Sequence, residues 1–418
     1  MRNPWRLPIA LVTTVVVAQA AVVLMRPRDR GPDPVPVPAG AYFSPAQITR
    51  AEAFRTGQTW LGVGQMAIGI GALVLLVRRP PERLMALKRP VVAGAATAAA
   101  LAVIAGLAPL PLRAIARERA KDVGLVTQDW VGWAGDVVKA EAISAVFAAA
   151  GGALLVVGMR RTGRRWWIPG AAVVVAFAVV TTYAGPVVLE PMFNTFTPLP
   201  QGELRRDVLD LARRAGVDVG QVYEMDASRR TTAANAYVGG IGHTKRVVLY
   251  DTLIEDFTPA ETRLVVAHEL GHVHHHDLRN GLIWVAIVAP FGMWAAAALA
   301  ERLAPRDAPL GPRAIPAVAL SLALLLPPVT WISNQLSRDV ERRADAFSLE
   351  LTRDPRTFTD FERRITTTNV SDPDPPKLVH LLFGTHPTAL QRIGQAEAFA
   401  REATDPGRAG AAPPPAGP

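Results

Sequence analysis

Seven apolar stretches, each long enough to cross a bilayer, set the strongest constraint on what this chain can fold into. They run roughly Leu7–Met25, Trp60–Val77, Val91–Leu112, Ala142–Met159, Trp166–Val188, Gly281–Ala300 and Ile315–Ile332. A backbone in hydrocarbon must satisfy its own hydrogen bonds, so each run predicts a helix. The third and sixth are rich in Ala with internal Pro or Gly, which suits close packing against neighbouring helices. Half of the 418 residues are hydrophobic and only 19% are charged, which argues against a pair of soluble domains. Much of the +9 net charge lies in Arg clusters beside apolar runs, as in RRTGRR at 160–165. That is flanking charge, and it does not call for a nucleic-acid partner. The chain has no Cys, so disulfides and thiolate metal sites are excluded. Any metal must be held by His and carboxylates. The first run follows MRNPWR and contains Ala18-Gln19-Ala20, a pattern like a signal peptide, but it stays apolar to Met25 and predicts an uncleaved anchor.

These runs divide the chain into an N-terminal membrane region of five spans (1–188), a polar insert (189–280), two further spans (281–332), a polar segment (333–403) and a Pro/Gly/Ala-rich tail (404–418) predicted to be disordered. Inside the insert, Glu203–Ala215 has apolar residues at helical spacing and stops at Gly216. Residues 222–225, 235–240 and 246–254 read as strands. Thr258-Pro259-Ala260-Glu261 supplies a capping box with Pro at the first helical position. No Pro follows until Pro290, so one helix is expected through VVAHELGHVHHHD (265–277) and directly into the sixth span.

That stretch holds five of the eight histidines. On a helix, His268 and His272 are four residues apart and share a face, with Glu269 beside the first. Two imidazoles so placed can bind one zinc, and the intervening Glu can act on a metal-bound water. A catalytic zinc takes three protein ligands and keeps one position open. His274 and His275 point away from the pair, and a third ligand on the same straight helix cannot easily close a tetrahedron. The third ligand is therefore expected from another helix. After the seventh span, Glu341 and Asp345 lie at i, i+4 on one face, a pattern that taken alone favours an ordinary charged helix surface.

HELGH (268–272) together with SRDVERRAD (337–345) resembles the zinc metallopeptidases of the CAAX prenyl protease family, whose second motif has the form SRxxExxAD. The seven spans, with the first motif between spans five and six, are similar to the membrane-embedded type-1 members. The segment Pro191–Leu199, the stretch Asn235-Ala236-Tyr237, and His386-Pro387 followed by Arg392 resemble further elements of that family. The resemblance implies His268, His272 and Glu341 as ligands of one Zn2+ per chain, with Glu269 as general base. It also implies Asp345 as a carboxylate orienting a ligand imidazole, and His386 as a group stabilising the oxyanion or positioning substrate. Asn235, Ala236 and Tyr237 would form the edge strand that binds extended substrate. His274 and His275 are left as a helix surface, and His276 is given no chemistry. The implied fold class is a mainly α membrane protein: about seven transmembrane helices carrying an α+β zincin-like catalytic domain built from 189–280 and 333–403. Related enzymes enclose a large chamber between their spans, and the resemblance implies one here.

The expected activity is thus an integral-membrane zinc endopeptidase acting on peptide or protein substrates, lipidated or membrane-embedded, with the lipid bilayer as its other partner. Two other tasks use the same parts: a quality-control metalloprotease for membrane proteins, and a catalytically silent zinc-binding scaffold. The chain is expected in the cell membrane as a multi-pass protein. Arg counting favours an extracytoplasmic catalytic domain, whereas the resemblance to eukaryotic enzymes implies a cytosolic one, so the side stays open.

Overall fold

The computed structural model describes residues 4–240, 245–304 and 310–404. Its N-terminal half is helical: α1 (Arg6–Met25), α2 (Pro45–Arg78), the short α3 (Glu82–Met85), α4 (Pro90–Leu107), α5 (Leu110–Asp122), α6 (Trp130–Thr162) and α7 (Trp167–Val188). The polar insert then contributes β1 (Phe196–Pro198), α8 (Glu203–Arg214), β2 (Gln221–Met225), β3 (Ala236–Gly239), β4 (Arg246–Tyr250), α9 (Asp251–Asp256) and α10 (Pro259–His274). The chain closes with α11 (Asp277–Leu303), α12 (Ile315–Thr352), α13 (Pro355–Thr368), α14 (Lys377–Phe383) and α15 (Ala389–Thr404). Thr404 ends α15, and the tail expected to be disordered beyond it lies outside the described residues.

Among the described residues, seven helices are long and apolar enough to cross a membrane: α1, α2, α4, α6, α7, α11 and α12. Each matches one of the seven apolar runs, with informative differences at the ends. The third run was expected to reach Leu112, but α4 stops at Leu107 and a new helix starts at Leu110. Pro109 and Pro111 account for this, since neither can donate a backbone hydrogen bond and each disfavours helix in the residue before it. Small residues set the spacing between α4 and α6. A Cβ on Gly152 would come 2.5 Å from the Gly94 carbonyl oxygen, so the two backbones touch there.

The seventh span does not end near Ile332. α12 continues unbroken for 38 residues, through Pro327 and Pro328, and delivers its C-terminal half to the polar domain. There Leu349 packs with Val208, Leu211, Val222, Val247, Leu249, Leu264, Leu270 and Phe358 in one core. One helix therefore belongs to both the membrane bundle and the catalytic domain.

The sheet order is β1-β2-β4-β3. β2 and β4 run parallel in its centre, and β1 and β3 lie antiparallel on the two edges. The strand expected over 246–254 is cut at Tyr250, because Asp251 opens α9 and its carboxylate accepts from the Ser228 backbone N–H at 2.9 Å. The linker between α1 and α2 runs along the catalytic helices. Arg26 and Arg30 both bind Asp339, at 2.6 and 2.5 Å, and the Val35 N–H donates to the Gly394 carbonyl at 3.1 Å. Gly31 sits at φ +65 with its Cα against Ala346, where a Cβ would come 2.6 Å from the alanine methyl carbon.

Candidate active site

The capping box foreseen at Thr258 is present in full: its hydroxyl accepts from the Glu261 N–H, and the Glu261 side chain accepts from the Thr258 N–H. It starts α10, which buries Leu264, Val266 and Leu270 on the domain core. Gly271 lets α10 approach α12 closely, since a Cβ there would press on Phe347 at 3.2 Å. This approach brings HELGH against the second motif.

The Nε2 atoms of His268 and His272 face each other at 3.2 Å. Glu341 of α12 completes the cluster, 3.2 Å from His268 Nε2 and 3.6 Å from His272 Nε2. Each imidazole is fixed from behind. His268 Nδ1 donates to Asp345 at 2.8 Å, and His272 Nδ1 donates to Asp277 at 3.0 Å. An ionised carboxylate can only accept, so each Nδ1 carries a proton, and in the neutral rings that a metal requires both Nε2 lone pairs point inward. Glu341 Oε2 is buried among them and receives no hydrogen bond. Converging acceptors with no donor between them need a cation. Neighbouring ligands of a tetrahedral zinc lie about 3.3 Å apart, given zinc–nitrogen distances near 2 Å. The observed spacings fit, and the donor set of two imidazoles and one carboxylate is a catalytic one.

Glu269 joins the cluster from the same helix, its carboxylate within 4.8 Å of the imidazole nitrogens. Burial raises its pKa above the usual carboxylate range, although the neighbouring imidazoles oppose the shift. His268 behaves differently when no metal is bound: burial works against its charge, but Asp345 and Glu341 outweigh that and lift its pKa to about 9. His386 reaches in from the loop before α15, its Nε2 3.3 Å from Glu341 Oε2. It remains more than half exposed, on the open side of the cluster.

Every metal-site and catalytic residue foreseen from the sequence is thus drawn together: His268, Glu269, His272, Glu341, Asp345 and His386. Asn235, Ala236 and Tyr237 lie at β3, which pairs only with β4 and leaves its other edge free among the described residues. Tyr237 is hydrogen-bonded to Glu190.

Several groups escaped the sequence reading. The helix expected to run into the sixth span breaks: α10 ends at His274, and His276 adopts a left-handed conformation (φ 58) before α11 begins. This turn swings Asp277 back onto His272, where Arg343 also binds it. The sequence reading gave Asp277 no role. Its role depends on a chain reversal that helical periodicity does not signal. His275 is not a free helix surface either. It is half-buried at the α10 C-cap, 3.9 Å from Asp29 of the linker, and burial first, then Arg343, pushes its pKa down to about 4. His274 is exposed, as expected, and bonds the Ala215 carbonyl. Arg392 clamps Asp345 at 2.8 and 2.5 Å and reaches Glu362 of α13 at 2.8 Å. Arg338, within the second motif, donates to the Gly384 carbonyl at 2.6 Å, and Asn334 donates to that of Leu382 at 2.7 Å. Together they hold the segment that carries His386.

Known proteins resemble this chain in sequence and in fold. Residues 198–400 match the model of peptidase family M48, and residues 40–195 match that of the CAAX prenyl protease N-terminal region, five membrane helices. The uncharacterized metalloprotease YhfN of Bacillus subtilis is 31% identical over 304 residues, or 71% of each chain. CAAX prenyl protease 1 of Saccharomyces cerevisiae is 41% identical over 100 residues, which are 24% of this chain and 22% of the yeast protein. The crystal structure of S. mikatae Ste24p has the same fold, with a TM-score of 0.73 at 18% identity over 94% of this chain and 99% of that one. The chain belongs to peptidase family M48 and is a multi-pass membrane metalloendopeptidase of the CAAX prenyl protease family.

Proposed function

We propose that this protein hydrolyses peptide bonds using one zinc ion held by His268, His272 and Glu341. The observation that carries the reading is the convergence of two Nε2 lone pairs and a buried, unbonded carboxylate oxygen, with Glu269 alongside. Zinc bound there would supply Lewis acidity and lower the pKa of its water. Glu269 takes the proton of the attacking water as it adds to the scissile carbonyl, then gives that proton to the leaving amine. Its buried carboxylate is suited to hold the proton between the two steps. His386, on the open side, donates to the developing oxyanion. Asp345 and Asp277 hold the ligand imidazoles in the tautomer and orientation that metal binding needs. Substrate lies extended along β3, where main-chain hydrogen bonds supply affinity without strict sequence demands.

The 41% identity to a yeast CAAX prenyl protease supports a lipidated C-terminal segment as one substrate class. The presence of Glu269 and all three ligand residues argues against a silent scaffold. The test is cleavage of an unfolded protein substrate by the purified enzyme before and after chelation, with His386→Ala beside it. Chelation should abolish turnover and zinc restore it. His386→Ala should keep its metal and lose roughly 100- to 1,000-fold in turnover. Full turnover in that variant would remove His386 from the mechanism, and turnover that survives complete metal removal would overturn the reading.

A further inference from the structure

A cavity of about 520 Å³ lies within the membrane bundle, outside the active site. Its walls come from α2, α4, α6, α7, α11 and α12, represented by Leu73, Leu101, Gly151, Val173, Met293 and Val318. None of His268, Glu269, His272, Glu341 or His386 lines it. The wall is nearly all hydrocarbon, and its one charged side chain is Arg161, accompanied by Thr162 at the end of α6. From Ala148 to Arg161 the α6 wall rises about 20 Å at 1.5 Å per residue, slightly more than the roughly 15 Å of hydrocarbon in one leaflet. The cavity is therefore a slot about as long as one acyl chain, with a cation at one end.

Arg161 is exposed and has no hydrogen-bond or ion-pair partner among the described residues, and the same is true of Arg160 and Arg165 beside it. Arg164 differs, because it is paired with Glu301 at 2.9 Å. The alternating spans put this cluster on the membrane face opposite the catalytic domain. α6 starts at Trp130 on the catalytic side and ends at Thr162 on the other. A substrate chain bound at β3 would approach from the wrong face. The slot itself is well formed: α4 and α6 touch backbone to backbone at Gly94 and Gly152. One residue away, a Cβ on Gly151 would meet nothing within 4 Å.

We propose that this slot binds an anionic phospholipid, with one acyl chain between α4, α6 and α7 and the phosphate on Arg161. Basic pockets between transmembrane helices recognise anionic headgroups in this way, the chain supplying affinity and the arginine supplying selectivity.

The test uses full-length protein reconstituted in bilayers of equal phosphatidylglycerol and phosphatidylcholine, re-extracted, and examined by native mass spectrometry for retained lipid. Wild type should keep one phosphatidylglycerol, enriched about fivefold or more over phosphatidylcholine. Arg161→Gln should keep a lipid and lose the enrichment. Gly151→Leu, which grows a side chain into the open space, should keep neither lipid. Arg160→Gln removes the same charge from a residue that does not line the slot, so it should behave as wild type. Peptide cleavage by each variant serves as the folding control and should be unchanged. Equal retention of both lipids by wild type, no retained lipid, or enrichment that survives Arg161→Gln or Gly151→Leu would each overturn the proposal.

Discussion

At the scale of single residues, the candidate site consists of pairs in which one group faces the cluster and another holds it still. Glu341 and Asp345, at i, i+4 on α12, divide these tasks: the first faces the Nε2 atoms and the second accepts the hydrogen bond from His268 Nδ1. Their spacing was visible in the sequence, but the division of labour needed the resemblance to a family, because i, i+4 carboxylates are common on charged surfaces. Asp277 was legible in neither way. It is five residues from His272, and only the left-handed His276 brings it within bonding distance. Asp277→Ala should therefore weaken metal binding by roughly 10- to 100-fold, as loss of a carboxylate behind a ligand imidazole commonly does. Competition with a chromogenic chelator measures this, and unchanged affinity would contradict the role. The same pairs predict a pH dependence. Metal binds only imidazoles whose Nε2 is unprotonated, and the metal-free protein holds the His268 proton up to about pH 9. The metal-free form thus carries more protons than the loaded form below that pH, so metal affinity should rise with pH and binding should release protons. Calorimetry in two buffers of different ionisation heat detects the release. An affinity independent of pH would contradict it.

At the scale of elements, two helices do most of the positioning, and the sequence described one better than the other. The start of α10 followed from Thr258, Pro259 and Glu261, whose capping chemistry is local. The continuity of α12 did not: the seventh run was expected to end near Ile332, where the apolar stretch ends, yet the same helix runs on to Thr352. Nor did the linker after α1 announce itself. Its Pro-rich stretch has no periodicity, and its contacts with Asp339, Ala346 and Gly394 are all far away in sequence. These contacts pin the outer side of the turn whose inner side carries Glu341 and Asp345. Gly31→Ala is predicted to cost about 1–3 kcal/mol, because the new methyl meets Ala346 and the backbone is left-handed there. Thermal unfolding of the metal-loaded protein measures the cost, and an unchanged midpoint would show that the linker is not seated as described.

At the scale of the whole molecule, the membrane bundle and the catalytic domain are one structure joined through α12. The seven spans were plain from hydropathy because the bilayer imposes length and apolarity together. The soluble part was less plain. Its strands are only 3 to 5 residues long, and the three-residue β1 went unseen in the sequence. Sheet order follows from long-range pairing, which local patterns do not encode. The proposed mechanism rests on Glu269, and the most direct measurement compares wild type with Glu269→Gln for metal content and for cleavage of an unfolded peptide mixture. Both proteins should bind one zinc, and only wild type should cleave. Cleavage by metal-loaded Glu269→Gln at the wild-type rate would contradict the account.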